Sequence, residues 1–264
     1  LAWLDEQPIG KLSEIDIVIA LEKFRLANPE LIDISFDTIS ASGPNAALPH
    51  YRVTYETNRM LAMGETLLID SGGQYLDGTT DITRTIAIGQ QNKEVCEAFT
   101  RVLKGMIAIS LLKFPKGTTG QEIDSHARAP LWEAGQDFGH GTGHGVGHFL
   151  SVHEGPQRIS RTPSAAFEKG MILSNEPAFY KPGVFGIRTE NLLLVKESEV
   201  DTQKFLEFET LTFVPIDKRM IIKKLLSKIE KEWLNNYHKL CFKKNVSLLG
   251  PQAKLWLSNV TKPI

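Results

Sequence analysis

The chain has 264 residues, enough for one large domain or two small ones, and its 42% apolar and 23% charged content is that of an ordinary globular protein able to bury a full core. With 30 Lys and Arg against 31 Asp and Glu the net charge is -1, which argues against an electrostatic nucleic-acid binder, and no apolar run approaches the roughly 18 residues that span a bilayer. Two cysteines, Cys96 and Cys241, cannot make a disulfide framework and read as buried or incidental thiols in a reducing compartment.

The opening LAWLDEQPIG lacks the basic start and apolar core of a secretory signal. With no initiator Met, the expectation is a fragment, a processed chain or the ordered part of something longer. Residues 11–28 space Ile15, Val18, Ile19 and Leu26 as on one helix face, which predicts an amphipathic helix ending before Pro29. FDTISASGPNAALPHYRV (36–53) reads as loop with a short strand and carries His50. GETLLIDSGGQYLDGTTDITRTIAIG (64–89) reads as strands with turns at Gly72-Gly73 and Asp77-Gly78. Helical patterns occupy 92–113 and 119–134. MILSNEPAFYKPGVFGIRTENLLLV (171–195) predicts a β-hairpin turning at Lys181-Pro182-Gly183, and 205–214 alternates like a strand. From 217 on, Ile221, Ile222, Leu225, Ile229 and Trp233 recur at helical spacing with lysines between them. This predicts a helix packed by one face with the basic face solvated. A membrane-surface helix is the weaker alternative, because Glu230 and Glu232 interrupt the basic face.

Four acidic residues stand out against this background. Glu176 and Glu190 lie symmetrically about Gly183, so a turn centred there makes them cross-strand neighbours. Two unpaired carboxylates so close repel, and a cation between them removes the conflict. The competing reading pairs either one with Arg188 or Lys181 at the surface, although the apolar company of Leu192, Leu193 and Leu194 argues for burial of Glu190. Asp70 closes the apolar run Thr66–Ile69, where it is either a turn former or a ligand. Asp81 sits inside TTDITRTIAI, a stretch of high β-propensity that disfavours aspartate; Arg84 is its local candidate partner.

Glycine then occupies every odd position from 139 to 147 in GHGTGHGVGHFLSVHEGP, which contains His140, His144, His148 and His153. Alternating glycine defeats a helix. In an extended strand it puts His140, Thr142, His144, Val146 and His148 on one face and bare backbone on the other. Two Asp, two Glu and at least one of these imidazoles form an oxygen-rich donor set that suits Mn, Co, Fe or Zn and disfavours copper. Four carboxylates neutralise two divalent ions, and two such ions can share and acidify a water.

These residues, together with ISASGPNAALPHY and the WLNNYHK segment, resemble the dinuclear metallopeptidases of the pita-bread fold, and within them the Xaa-Pro aminopeptidase (aminopeptidase P) family, in its cytosolic three-domain branch. The resemblance implies an α+β pita-bread domain: a curved, mainly antiparallel sheet, helices on its outer face, and pseudo-twofold halves. It implies a catalytic domain over 1–215 with a C-terminal helical extension over 216–264, the family's N-terminal domains being absent from this chain. It implies that Asp70, Asp81, His144, Glu176 and Glu190 bind two divalent ions, Asp81 and Glu190 bridging them. Manganese is the metal the family suggests; cobalt and zinc fit the same ligands.

His50, His140 and His153 then resemble the non-ligand histidines that cradle the scissile bond, and Glu176 the residue that handles the proton of the attacking water. Arg188 matches an arginine beside the bridging glutamate, and His148 has no role. The implied reaction is hydrolysis of the N-terminal Xaa-Pro bond of a peptide by a metal-bridging hydroxide, in the cytoplasm, with no nucleic-acid or membrane partner; a homodimer is compatible with it. The alternatives are a prolidase-type Xaa-Pro dipeptidase and a non-catalytic binding module on the same fold.

Overall fold

The computed structural model describes residues 1–201 and 203–264. A one-turn helix α1 (Ala2–Asp5) leads into α2 (Glu14–Leu26), whose N-terminus is closed by a capping box between Ser13 and Asp16. The expected helix is there, but the buried face differs. Ile17 and Glu14 are buried, whereas Ile19 and Leu26 are largely exposed. The cause is Glu14, whose carboxylate accepts hydrogen bonds from Ser42 N at 2.6 Å, Arg59 N at 3.0 Å and the Tyr51 hydroxyl at 3.0 Å, and from the Asn45 amide. A buried carboxylate has to be satisfied, and it sets the helix rotation against the apolar pattern.

The chain continues through the short β1 (Asp33–Ile34) to β2 (Ile39–Ser42) and β3 (Thr66–Ser71). Next come β4 (Gly73–Tyr75), β5 (Gly78–Thr79) and β6 (Ile82–Ala87). Strands β2, β3 and β6 form one antiparallel sheet; β4 and β5 form a hairpin beside it, turning at Leu76-Asp77, one residue before the expected Asp77-Gly78. Gly72-Gly73 is not a turn. There the chain passes from one sheet to the next, and a Cβ at Gly72 would stand 1.9 Å from the Thr80 carbonyl oxygen. Only glycine admits that approach.

Helix α3 (Lys93–Ser110), strand β7 (Lys113–Pro115) and helix α4 (Gly120–Trp132) follow. Helices α3 and α4 pack closely at Gly105, where a Cβ would meet the Ala127 carbonyl oxygen at 2.2 Å. After β8 (Gly143–His144) and β9 (Arg158–Ile159) comes the second half: β10 (Ile172–Asn175), β11 (Ala178–Lys181), β12 (Phe185–Arg188), β13 (Asn191–Glu197) and β14 (Phe205–Thr210). The order β10-β13-β14-β7 makes a second antiparallel sheet, and β11–β12 is its protruding hairpin. The halves therefore repeat one plan: a strand, a small hairpin, and a return strand paired with the first. Asp70 and Asp81 flank one hairpin, Glu176 and Glu190 the other.

The core lies between sheets and helices. Phe99, Val102, Leu103, Met106 and Ile107 of α3 are fully buried against Ala178, Phe185 and Ile187, each large side chain contributing about 1.5–3 kcal/mol. The C-terminus closes the same cluster with α5 (Lys228–Asn245), and α6 (Pro251–Val260) packs against α1. The helix expected from 217 begins only at Ser227, which forms a capping box with Glu230. Before it run two 3-10 turns, Lys218–Met220 and Lys223–Leu225, held by Asp217 accepting from Ala87 N and by Ile222 N donating to Thr100 Oγ1. Ile229 is exposed; α5 buries Leu234, Tyr237, His238 and Cys241 instead. Of the lysines spaced between Ile221 and Trp233, those at 223, 224 and 228 are exposed as expected and Lys231 is half-buried. Among the described residues no helix is long and apolar enough to cross a membrane.

Candidate metal and catalytic centre

The hairpin register places the two glutamates. Asn175 faces Asn191 and Ala178 faces Arg188, both pairs centred on residue 183, so Glu176 and Glu190 oppose each other in the gap between the two ladders. Asp70 enters from β3 and Asp81 from the residue before β6. The ligand atoms of Asp70, Asp81 and Glu190 lie within 4.8 Å of one another, as do those of His144, Glu176 and Glu190. All five candidate ligands thus converge.

Two of the local ion pairs that competed with this reading, Asp81 with Arg84 and either glutamate with Lys181, do not form, and Arg188 Nε stands 3.9 Å from Glu176 Oε2 in the buried centre rather than at the surface. Arg84 turns away from Asp81 and donates to the backbone carbonyl of Glu190, to Asn191 Oδ1 at 2.7 Å, to Val214 O at 2.8 Å and to the Tyr237 hydroxyl at 2.8 Å. Lys181 pairs with Glu94 at 2.6 Å. Arg188 is the one cation at the centre among the described residues. It donates to Asp70 Oδ2 at 2.7 Å and, through Nε, to Thr83 Oγ1 at 3.0 Å. Thr83 in turn donates to Glu190 Oε2 at 2.8 Å. The expected contact of Arg188 with Glu190 therefore runs through Thr83, and its nearest carboxylate is that of Asp70.

One guanidinium against four carboxylates leaves a large excess of buried negative charge. Burial, and then the charges of Asp70 and Glu176, push the Asp81 carboxyl well above its usual range. Burial followed by Asp81, Glu176 and Asp70 does the same to Glu190. Asp70 is also raised, by burial first, with Arg188 opposing. Asp70 Oδ1 and Glu190 Oε1 are buried without a hydrogen-bond partner. His144 adds a nitrogen: with Nδ1 donating to Gly145 O at 2.9 Å, Nε2 is left as a free lone pair 3.4 Å from Asp81 Oδ2 and 3.3 Å from Glu176 Oε1. Orphaned oxygens plus one aimed imidazole are the donor set of a hard-to-borderline divalent ion.

The glycines let the histidine strand reach this position. A Cβ at Gly143 would lie 1.9 Å from Ser174 O, and one at Gly145 2.0 Å from Glu154 O. Ser174 Oγ accepts from His144 N and donates to Glu176 Oε1, both at 3.0 Å, tying the strand to the glutamate.

The carboxylates open into a cleft of about 530 Å³ walled by His50, His140 and His153, with Asp37 and Arg52 at its rim. His140 donates from Nδ1 to Gly141 O at 2.7 Å and accepts at Nε2 from the Tyr180 hydroxyl at 2.9 Å; Tyr180 accepts from Arg188 at 2.8 Å. Burial lowers the pKa of His140 and of His153, and pushes Tyr180 up to about 12. The His153 ring stands 4.1 Å from that of His144, and its nitrogen falls within 4.8 Å of ligand atoms on both His144 and Asp81. That is nearer the carboxylates than a pure wall residue requires. His148 is exposed and lies outside the cleft lining.

Sequence reasoning missed Tyr180 and Thr83. A signal for Tyr180 existed: residues 176, 178 and 180 share one face of the hairpin with 186, 188 and 190. The parity that pairs the glutamates also sets Tyr180 beside Arg188. Thr83 had no such signal.

The sequence profile of metallopeptidase family M24 matches residues 2–197, and that of the C-terminal region of peptidase M24 matches residues 204–264. Aminopeptidase P2 of Arabidopsis thaliana is 45% identical over 100% of this chain and 38% of its own length. Xaa-Pro aminopeptidase 1 of Dictyostelium discoideum is 40% identical over 100% of this chain and 44% of its own. The crystal structure of X-prolyl aminopeptidase from Caenorhabditis elegans, described as a cytosolic enzyme with a di-nuclear active site, superposes with a TM-score of 0.94 at 40% identity, covering 99% of this chain and 44% of that one. Prolidase from Pyrococcus furiosus gives 0.70 at 32% identity, covering 81% and 59%. The chain spans less than half the length of the curated relatives it matches.

Proposed function

Because the chain belongs to metallopeptidase family M24, we propose that it is the catalytic part of a cytosolic, metal-dependent aminopeptidase that removes the first residue from peptides with proline second. The observation that carries this reading is the convergence of four carboxylates and His144, with Arg188 as their one counter-charge among the described residues and two buried oxygens unpartnered, at the floor of a histidine-walled cleft. Support for the substrate comes from the names of the relatives, and for the cytosol from the description of the Caenorhabditis elegans protein.

In this reading Asp70, Asp81, His144, Glu176 and Glu190 hold two divalent ions, manganese being the proposed metal. When bound, such a pair supplies Lewis acidity, polarising the scissile carbonyl and acidifying a water. Arg188 holds Asp70 directly and Glu190 through Thr83, fixing carboxylates that would otherwise repel. Glu176 borders the cleft, where its carboxylate takes the proton released on attack and returns it to the leaving proline nitrogen. Both His140 nitrogens are already engaged, so His140 serves as a shaped wall. Hydrogen-bond donation to the developing oxyanion falls to His153 and His50. The Xaa-Pro bond is a tertiary amide with no N–H to recognise, and selection rests on the fit of the ring against these imidazoles.

The test is elemental analysis of the purified chain together with cleavage of an Xaa-Pro-Xaa peptide, an Xaa-Pro dipeptide and an Xaa-Ala-Xaa control, with and without chelator. Two ions per chain and chelator-sensitive cleavage of the Xaa-Pro-Xaa peptide alone are expected. Cleavage confined to the dipeptide makes it a prolidase; neither metal nor cleavage makes it a binding module.

A further inference from the structure

Glycine at 139, 141, 143 and 145 surrounds His140 and His144. Such a backbone loses more conformational freedom on ordering than any other and has little stiffness of its own. Helix α4 supplies the stiffness. Asp124 and Arg128, one helical turn apart and both buried, pair at 2.6 Å. The Arg128 fork donates to Phe138 O at 2.7 Å, to His140 O at 2.7 Å and to Asp137 Oδ1 at 2.9 Å. The second Asp124 oxygen accepts from Thr142 Oγ1 at 2.7 Å. Arg128 also lies 4.0 Å over the Phe138 ring, which sits 5.1 Å from the ring of His140.

One buried ion pair therefore grips the strand at 138, 140 and 142 and leaves the His140 imidazole to Tyr180. We propose that Arg128 and Asp124 are positioning residues for His140, a clamp that gives the glycine-rich strand the rigidity its sequence lacks; the catalytic consequence rests on the aminopeptidase reading. Lysine keeps the charge but has no planar fork, so it cannot serve these acceptors together. Thr142→Val cuts only the link from Asp124 to the strand.

The experiment measures kcat, KM, metal content and melting temperature for Arg128→Lys and Thr142→Val, alone and combined with His140→Ala, and the His140 ring signal by NMR in metal-free protein. A misplaced wall residue is expected to cost kcat about 10- to 100-fold in Arg128→Lys and roughly 3- to 10-fold in Thr142→Val, with KM and metal content little changed. In the His140→Ala background both effects should shrink to less than about 2-fold, because residues acting through one group are non-additive. A folded Arg128→Lys with unchanged kcat, or losses that multiply with that of His140→Ala as general destabilisation would, overturns the clamp. If Arg128→Lys does not fold, Thr142→Val decides by the same criteria. If no variant and no wild-type protein cuts peptides, the aminopeptidase reading fails and NMR decides alone: a His140 signal shifted or broadened in Thr142→Val, with His153 unmoved, supports the clamp, and an unchanged signal refutes it.

Discussion

Asp81→Asn should stabilise the metal-free protein while destroying its metal site. The ligand atoms of Asp70, Asp81 and Glu190 lie within 4.8 Å of one another. At an effective dielectric of about 20, two unit charges at that distance repel by roughly 3.5 kcal/mol, so an ionised Asp81 between two ionised neighbours carries ~7 kcal/mol of repulsion. Keeping a proton on it at pH 7, against its ordinary 3.8, costs about 4.4 kcal/mol. The smaller cost wins, and the metal-free cluster retains a proton at neutral pH.

Groups whose folded pKa is raised contribute stability that is full below their ordinary range and lost as pH rises through the raised value. Metal-free wild type should therefore weaken from pH 5 to pH 8, and the variant should weaken less. The expected advantage of metal-free Asp81→Asn at pH 8 is about 2–4 kcal/mol, discounted from the protonation cost because the site relaxes and admits water. Each kcal/mol is worth roughly 2–4 °C in melting temperature for a domain near this size. Manganese at a hundred times its Kd should return about 2.7 kcal/mol to the wild type and little to the variant. Thermal melts of chelator-dialysed protein at pH 5 and pH 8, with and without manganese, measure all of this. A metal-free variant less stable than wild type at pH 8, or equal stabilisation of both proteins by manganese, would refute the reasoning.

Other outcomes follow from the same geometry. His144→Ala should lower the metal stoichiometry by one and abolish cleavage with the fold kept, whereas His153→Ala should keep both ions and lose kcat by about 100-fold, as for removal of an oxyanion donor; elemental analysis separates the two, and a lost ion in His153→Ala would make His153 a ligand. Tyr180→Phe removes the hydroxyl joining Arg188 to His140 and should lower kcat roughly 10-fold with metal content intact, read by steady-state kinetics. Glu14→Gln leaves backbone donors at Ser42 and Arg59 sharing a weaker acceptor and should cost about 1–3 kcal/mol in urea unfolding.

Much of the site was legible because its signals are local. The hairpin is symmetric about Gly183, so its register and the opposition of Glu176 to Glu190 follow from counting. Alternating glycine excludes a helix there, but the single-faced strand it suggests is realised only at Gly143–His144: Thr142 turns to Asp124 of α4, and His148 is exposed outside the cleft. Asp81 was visible as an aspartate where β-propensity disfavours one.

What local pattern cannot carry is the identity of a partner distant in the chain. Arg84 looked like the mate of Asp81 three residues away, yet it binds backbone and side-chain oxygens more than a hundred residues on, because a buried guanidinium goes where the most acceptors converge. The same limit explains α2, whose apolar stripe reads correctly as helix but wrongly as the buried face once Glu14 is anchored to residues 42–59. It also explains 217–227, where helical spacing yields to tertiary bonds from Asp217 to β6 and from Ile222 to α3. The sequence by itself determined most of the strand, hairpin and helix segments, the turn expected at Gly72-Gly73 and the helix expected over 217–227 excepted, and which side chains are chemically out of place. Only the tertiary structure decided which oxygens those side chains meet, because burial drives polar groups to partners distant in the chain, as Arg188 meets Asp70, and leaves Asp70 Oδ1 and Glu190 Oε1 without one.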